Sequence, residues 1–338
     1  MALHSASKGT LRALVRAPEI SVVVPSHDRA LRLRWLLNAL EEQTLARDRF
    51  EVIVVHDYDD AETDSIFERH PLRAAGVLRH ERIPPGTGRA SRQRNIGWRA
   101  ARSPLIAFTD DDCRPDARWL EELLAAAQRS PGAIVQGATD FDPYELDVFA
   151  SPHYRTVVER EPPGPFAQTC NVLYPRDVLE RVGGFDEAMP APAGEDLDLA
   201  TRARATGAAY VGAPDALTYH CVESYTLFGM LRLNRKWQDI AYLAKRHPEI
   251  RSTFTLRVFW RETHFRLVLA FAGLALARRW PPFAALAIPY LRFTLRRRGT
   301  HLRARVASTV ELPGRVVVDT AEIATMVRGS VKHRTVVI

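Results

Sequence analysis

The feature that most constrains this chain is a repeated alternation of short, wholly apolar runs with stretches of helical spacing. Ile20–Val24 is such a run, ended by Pro25, and Val52–Val55 and Leu105–Phe108 repeat it. Between the first two, Leu33, Leu36, Leu37 and Leu40 recur at i, i+3, i+4 and i+7, which predicts an amphipathic helix over residues 29–43. A loop, Pro84-Pro85-Gly86-Thr87-Gly88, precedes a second helical stretch over roughly 89–101. Pro115 is expected to open a third helix, on which Trp119, Leu120, Leu123, Leu124 and Ala127 share a face. Apolar runs joined by helices predict an α/β fold with a mostly parallel sheet, because helices then cover both faces.

Polar residues gather just after these runs, as Ser26-His27-Asp28, Asp57-Tyr58-Asp59-Asp60 and Asp110-Asp111-Asp112. In open α/β sheets ligands bind outside the carboxyl ends of the strands. Acidic clusters on one sheet edge repel one another unless a cation or a donor-rich ligand sits among them, so this edge is the candidate site. Asp110 and Asp112, an Asp-x-Asp pair on an extended segment, point the same way. Hard divalent cations take such oxygens and share them with substrate phosphates.

Composition narrows the class. The chain has 338 residues, 46% hydrophobic and 26% charged, which excludes a disordered or fibrous chain. Its three cysteines, Cys113, Cys170 and Cys221, show no paired spacing, so reduced thiols in a cytosol are expected. The first 17 residues lack the apolar core of a signal peptide, and residues 1–18 are expected to form a loose arm. Residues 251–338 hold 16 Lys+Arg against 4 Asp+Glu, leaving 31 against 36 for residues 1–250. A basic tail on a mildly acidic body points to an anionic surface as partner.

That tail carries two apolar runs, Leu267–Ala277 and Phe283–Leu291, divided by Arg278-Arg279-Trp280-Pro281-Pro282. A spanning helix takes about 20 apolar residues, so neither run crosses a bilayer alone. Trp280, Tyr290 and the flanking arginines fit a hairpin lying at the interface; two core helices packed on the body are the alternative.

Six short stretches, in order, resemble the inverting family-2 glycosyltransferases with the GT-A fold. They are Ser21-Val-Val-Val-Pro25, Glu51-Val-Ile-Val-Val-His-Asp57, Arg94-Asn95-Ile-Gly97, Phe108-Thr-Asp-Asp-Asp112, Gly183-Gly-Phe-Asp186 and Glu195-Asp196. The resemblance implies a catalytic domain over 19–225, its nucleotide half 19–113 and its acceptor half 114–225, followed by a basic, partly amphipathic helical extension over 226–338. It implies transfer from a nucleotide diphosphate sugar, UDP-type by preference, to an acceptor hydroxyl; the amphipathic tail points to a lipid-linked acceptor, as in cell-envelope polysaccharide or glycolipid assembly, with a soluble natural-product acceptor as the alternative. Pro25, Ser26, Asp57, Arg89, Arg94, Asp110 and Asp111 would then contact the donor. His56 stands where the family has the first residue of an Asp-Asp pair, so the identity of the base stays open. Asp110, Asp112 and His220 would hold Mn²⁺ or Mg²⁺. Asp196 would be the catalytic base, with Glu195 supporting it, and Asn171, Tyr174, Phe185 and Asp186 would line the acceptor pocket. Trp237 and Arg235 lie beyond the matched region.

Two other classes compete. A nucleotidyltransferase shares the sheet and the metal carboxylates, but a Gly-rich phosphate loop with a Lys is expected near its first strand, where Pro25-Ser26-His27-Asp28-Arg29 stands. A non-catalytic lipid- or nucleic-acid-binding protein would use the basic tail, yet no nucleic-acid motif appears there, and nucleic acid is not expected as a partner. The expected location is the cytoplasm, peripheral on the inner face of the membrane.

Overall fold

The computed structural model describes residues 17–189, 194–299 and 301–338; most of the predicted arm falls outside them. In chain order the elements are β1 (Ile20–Ser26), α1 (Ala30–Glu41), β2 (Phe50–His56), α2 (Ala61–Arg69), α3 (Pro71–Ala74), β3 (Leu78–Arg82), α4 (Ala90–Ala100), β4 (Leu105–Phe108), β5 (Cys113–Pro115) and α5 (Trp119–Arg129). There follow β6 (Ile134–Phe141), β7 (Tyr154–Arg155), β8 (Val172–Pro175), α6 (Arg176–Val182), α7 (Glu195–Ala205), β9 (Tyr210–His220) and β10 (Glu223–Ser224). The C-terminal region adds α8 (Leu227–Leu233), α9 (Ile240–Arg246), α10 (Glu262–Leu276), α11 (Ile288–Leu295) and α12 (Leu302–His333).

Eight strands form one sheet in the order β3-β2-β1-β4-β8-β6-β9-β5. The first four are parallel, β8 runs antiparallel between β4 and β6, and β9 is parallel to β6 but antiparallel to β5. A two-stranded antiparallel ribbon, β7 with β10, stands beside it. The β-branched residues of β1 and β2 are buried on both faces, as a covered parallel sheet requires. Leu33, Leu36, Leu37 and Leu40 of α1 are fully buried against it, as their spacing predicts.

Two local features aim the site. A Cβ on Gly97 would stand 2.4 Å from Val23 Cγ1, so only glycine lets α4 pack this closely on β1. That approach lets Gln93 Nε2 donate to the Ser26 carbonyl at 2.8 Å and carries Arg94 to the strand ends. A register shift between Gly137 and Ala138 leaves extra residues on β9. Asn171 clamps it, donating from Nδ2 to the carbonyls of Ala138 at 2.7 Å and Ala216 at 2.8 Å while accepting from Trp119 Nε1 at 2.8 Å.

Pro115 closes the short strand β5 instead of opening a helix, and α5 starts at Trp119. In the tail the first apolar run lies in α10, and the second spans a 3₁₀ turn at Pro281–Ala287 and the start of α11. Leu267, Ala270, Ala287 and Tyr290 pack against Leu312, Val316 and Ile323 of α12, so each run buries one face. Met189 and Leu197 share a separate core with Ile240, Leu243, Met326 and Val337, which seats α7 on the C-terminal region.

Candidate active site

A cleft of about 1150 Å³ opens at the carboxyl ends of β1 and β4, between the sheet, the start of α7 and the C-terminal region. The sequence-predicted residues Pro25, Ser26, Arg89, Arg94, Asp110, Asp111, Asp112, Glu195, Asp196 and His220 all line it.

Pairing sets the first cluster. Cys113 of β5 lies opposite His220 of β9, and the Cys221 amide donates to the Asp112 carbonyl at 3.0 Å. This brings His220 Nε2 within 3.8 Å of Asp112 Oδ1. Asp112 Oδ1 is buried without a hydrogen-bond partner, whereas Oδ2 is held by Arg29 Nη1. His220 Nδ1 sits 3.0 Å from the Cys221 carbonyl, and as a donor there it leaves the Nε2 lone pair facing Asp112. Cys221 Sγ is within 4.8 Å of both, but burial holds its thiol far above its ordinary range. One orphaned carboxylate oxygen beside one oriented imidazole nitrogen fits a divalent cation such as Mn²⁺.

Arg94 organises the second cluster. Its guanidinium is buried, with Nη2 2.6 Å from Asp110 Oδ1 and Nη1 3.2 Å from Glu195 Oε1 and 4.0 Å from Asp196 Oδ1. The Asp110 carboxylate is therefore turned to Arg94, not to the Asp112–His220 pair. Thr169 fixes Asp196, donating from its amide at 3.3 Å and from its hydroxyl at 3.2 Å. Burial and the neighbouring Glu195 raise the Asp196 carboxyl to about 7, against the opposing pull of Arg94. Gly194, at φ 91°, starts α7 where a Cβ would stand 2.1 Å from Leu243 Cδ1. Asp198, fully buried one turn on, is held by His247 Nε2 at 2.8 Å and by Arg202.

Arg29 and His247 are missed by sequence reasoning. Arg29 contacts Asp112, Asp111 at 3.4 Å and Glu223 at 2.9 Å, so the repulsion expected among the acids is relieved partly by the chain itself. An arginine just past a strand end was its only signal.

Other predicted residues sit elsewhere. Ser26 Oγ donates to Asp111 Oδ2 at 2.8 Å, helping to hold that carboxylate. Asp57 lies behind the Gly86–Gly88 loop: Oδ1 is 2.7 Å from His27 Nδ1, and Oδ2 accepts from the Gly86 and Gly88 amides, each at 3.1 Å. His56, beside it, is wholly buried, stacked on Phe67 and 3.0 Å from His80. The four acceptor-side expectations require correction. Asn171 is spent on the β9 bulge, and Tyr174 is fully buried in the core beside Phe108. Phe185 packs edge-on to Phe108 beneath Arg94, and Asp186 pairs with Arg246. Each is spent on hydrogen bonding, packing or ion pairing, and none of the four lines the cleft.

The sequence model for "Glycosyl transferase family 2" matches residues 21–183. A validoxylamine A glucosyltransferase of Streptomyces hygroscopicus subsp. jinggangensis is 30% identical over 234 residues, covering 58% of this chain and 53% of that protein. Glycosyltransferase AglE of Haloferax volcanii is 26% identical over 211 residues, covering 60% of this chain and 67% of that one. The chain thus spans about half the length of its validoxylamine A glucosyltransferase relatives. The solved mannosyltransferase PcManGT of Pyrobaculum calidifontis, in complex with GDP-Man and Mn²⁺, shares the fold at a TM-score of 0.54 and 20% identity, over 94% of this chain and 88% of that one.

Proposed function

Since the chain belongs to glycosyl transferase family 2, we propose that its cleft moves a sugar, with inversion, from a nucleoside diphosphate sugar to an acceptor hydroxyl. The observation that carries this reading is the presence in one cleft of the orphaned Asp112 oxygen beside His220 and of Asp196 with its raised pKa.

Asp112 and His220 would hold Mn²⁺ or Mg²⁺, with Asp110 close by on the same segment. When bound, the cation would neutralise charge developing on the leaving diphosphate. Ser26 and Arg29 keep Asp111 and Asp112 in place. Pro25 and Arg89 would border the nucleoside pocket, and Asp57, behind the Gly86–Gly88 loop, would reach a base N–H only once the loop amides leave its Oδ2. Asp196 takes the acceptor hydroxyl proton as the oxygen attacks the anomeric carbon from the face opposite the leaving group. Its raised pKa makes it a stronger base than an ordinary aspartate. Glu195 and Arg94 position it. PcManGT was solved with a nucleotide sugar and Mn²⁺, which is consistent with this use of the fold.

The reading extends to the tail. Phe271, Leu274, Trp280, Ile288 and Phe293 are exposed on α10, α11 and their connection, among Arg278, Arg279, Arg292 and Arg296. No helix among the described residues is long and apolar enough to cross a membrane. An apolar face rimmed by arginines suits peripheral contact with anionic lipid on the cytoplasmic face, near a lipid-linked acceptor. Sedimentation with phosphatidylglycerol vesicles, reduced in Phe271→Asp/Trp280→Asp, would support the contact; equal sedimentation of both proteins would remove it.

Thermal shift of the full chain against UDP, GDP, dTDP and CDP, each with and without Mn²⁺, tests the core reading. One nucleotide should stabilise the protein only with metal, and Asp112→Asn should abolish the effect. A metal-independent shift, or no shift with any nucleotide, would overturn it.

A further inference from the structure

Three cations that make no ion pair among the described residues also line the cleft. Arg155 on β7, Lys236 in the 3₁₀ turn Asn234–Asp239 and Arg297 just after α11 all line the cleft. Their neighbours are paired: Arg298 with Glu311, Arg315 with Asp319, Arg261 with Glu322. Arg155, Lys236 and Arg297 make no ion pair or side-chain hydrogen bond among the described residues. Aromatic rings hold them instead. Arg155 and Lys236 lie 5.6 and 5.3 Å from the Trp237 ring, and Arg297 lies 5.0 Å from that of Tyr154.

Lys236 is costly to hold charged when the cleft is empty: burial and the nearby Arg155 push it down to about 8, while Arg297 is exposed and stands beside Arg315. An anion beside Arg155 and Lys236 relieves their repulsion and the lost hydration of Lys236, and Arg297 offers it a third, unpaired charge. Arg and Lys side chains left without ion pairs in a cleft are suited to phosphate oxygens. In the reading above, the leaving diphosphate belongs with Asp112 and His220. Lys236, by contrast, stands in the field of Glu195 and Asp196, and Arg297 lies farther out, near Arg315 and Tyr154.

We propose that Arg155, Lys236 and Arg297 form an anion subsite for a phosphate group carried by the acceptor, floored by Trp237 and Tyr154. This deepens the glycosyl-transfer reading of the same cleft and rests on it. Anchoring the acceptor through its phosphate fixes the approach of its hydroxyl to Asp196, and that orientation is a source of rate in its own right.

Glycerol phosphate is the probe. It is titrated calorimetrically into the full chain, alone and after saturation with Mn²⁺ and whichever nucleoside diphosphate binds. Binding that persists beside the nucleotide, and is at least about tenfold weaker in Arg155→Gln/Arg297→Gln, supports the subsite. Because neither arginine is ion-paired, the variant should keep its thermal transition, and nucleotide binding checks its fold; Lys236→Met gives a second, independent variant. No glycerol phosphate binding, or equal binding by both variants, overturns the proposal. Displacement by the nucleotide also overturns it, assigning the cations to the donor diphosphate. Failure of the transferase reading looks different: no nucleotide binds with metal, while the glycerol phosphate comparison of wild type and variants still decides the subsite.

Discussion

Asp112 Oδ1 and His220 Nε2 face each other across 3.8 Å, and the carboxylate oxygen has no hydrogen-bond partner. A buried acceptor left in this way costs stability unless something arrives to use it. Replacing His220 with Gln removes the imidazole lone pair and should weaken Mn²⁺ binding by about tenfold or more. Electron paramagnetic resonance of free Mn²⁺ during a titration reads this directly. Wild-type affinity in His220→Gln would remove this histidine from the cation site.

Asp196 ties rate to pH. Its carboxyl is raised to about 7 in the folded chain from an ordinary 3.8. As a base it must be deprotonated, so kcat/KM should rise with pH along an acid limb near 7. The stability linkage has the opposite sense. The group's contribution is full below 3.8 and is lost as pH rises through about 7. Asp196→Asn should therefore lower kcat by about 10²–10⁴-fold. At pH 8 its Tm should be unchanged or raised by about 2–4 °C. An acid limb near 4, or an active Asn variant, would assign the base elsewhere.

Arg94 is the counterion of three carboxylates from two parts of the chain. Arg94→Met would leave them uncompensated, Glu195 nearly buried and the other two partly so, at up to about 3–5 kcal/mol, or at most on the order of 10 °C in Tm. Lysine, a point charge without the planar fork, should recover only part of this. Thermal denaturation decides, and a Met variant as stable as wild type would show that the bridge carries no net stability.

The His56–His80 pair makes the sheet edge acid-sensitive. Burial and the adjacent His80 lower His56 to about 4, and burial lowers His80 as well. The folded chain therefore resists protonation that the unfolded chain accepts. Stability should fall as pH drops from 6.5 towards 4, by on the order of 1–3 kcal/mol. Urea denaturation across that range measures the slope, which should flatten in His56→Gln. An unchanged slope would place the titration in other groups.

Much of this was legible in the sequence, for local reasons. Val22–Val24 and Val52–Val55 are apolar on both faces and can only be covered strands, and the leucines of α1 keep strict helical spacing. The acids at the ends of β4 and the start of α7 follow from where those elements stop. What escaped was decided by long-range pairing. β5 is three residues long and exists because β9 pairs with it, so no local pattern announces it. Asn171 and Tyr174 looked free for an acceptor because sequence does not reveal that a bulge needs two donors or that β8 runs through the core. Arg155, Lys236 and Arg297 are far apart in sequence and line one cleft only because the C-terminal region folds against the sheet.

The place of β9 in the sheet has a consequence for how this chain can be cut. The stretch matching the family ends at residue 183. Yet among the described residues β5 pairs only with β9, and β6 pairs with β9 along its whole length. A fragment stopped at 183 would retain every donor-side aspartate while leaving the strand beside Asp112 with no neighbour to hydrogen-bond. The segment by which the family is recognised is thus shorter than the smallest piece able to fold, and a minimal expressed unit must run past His220.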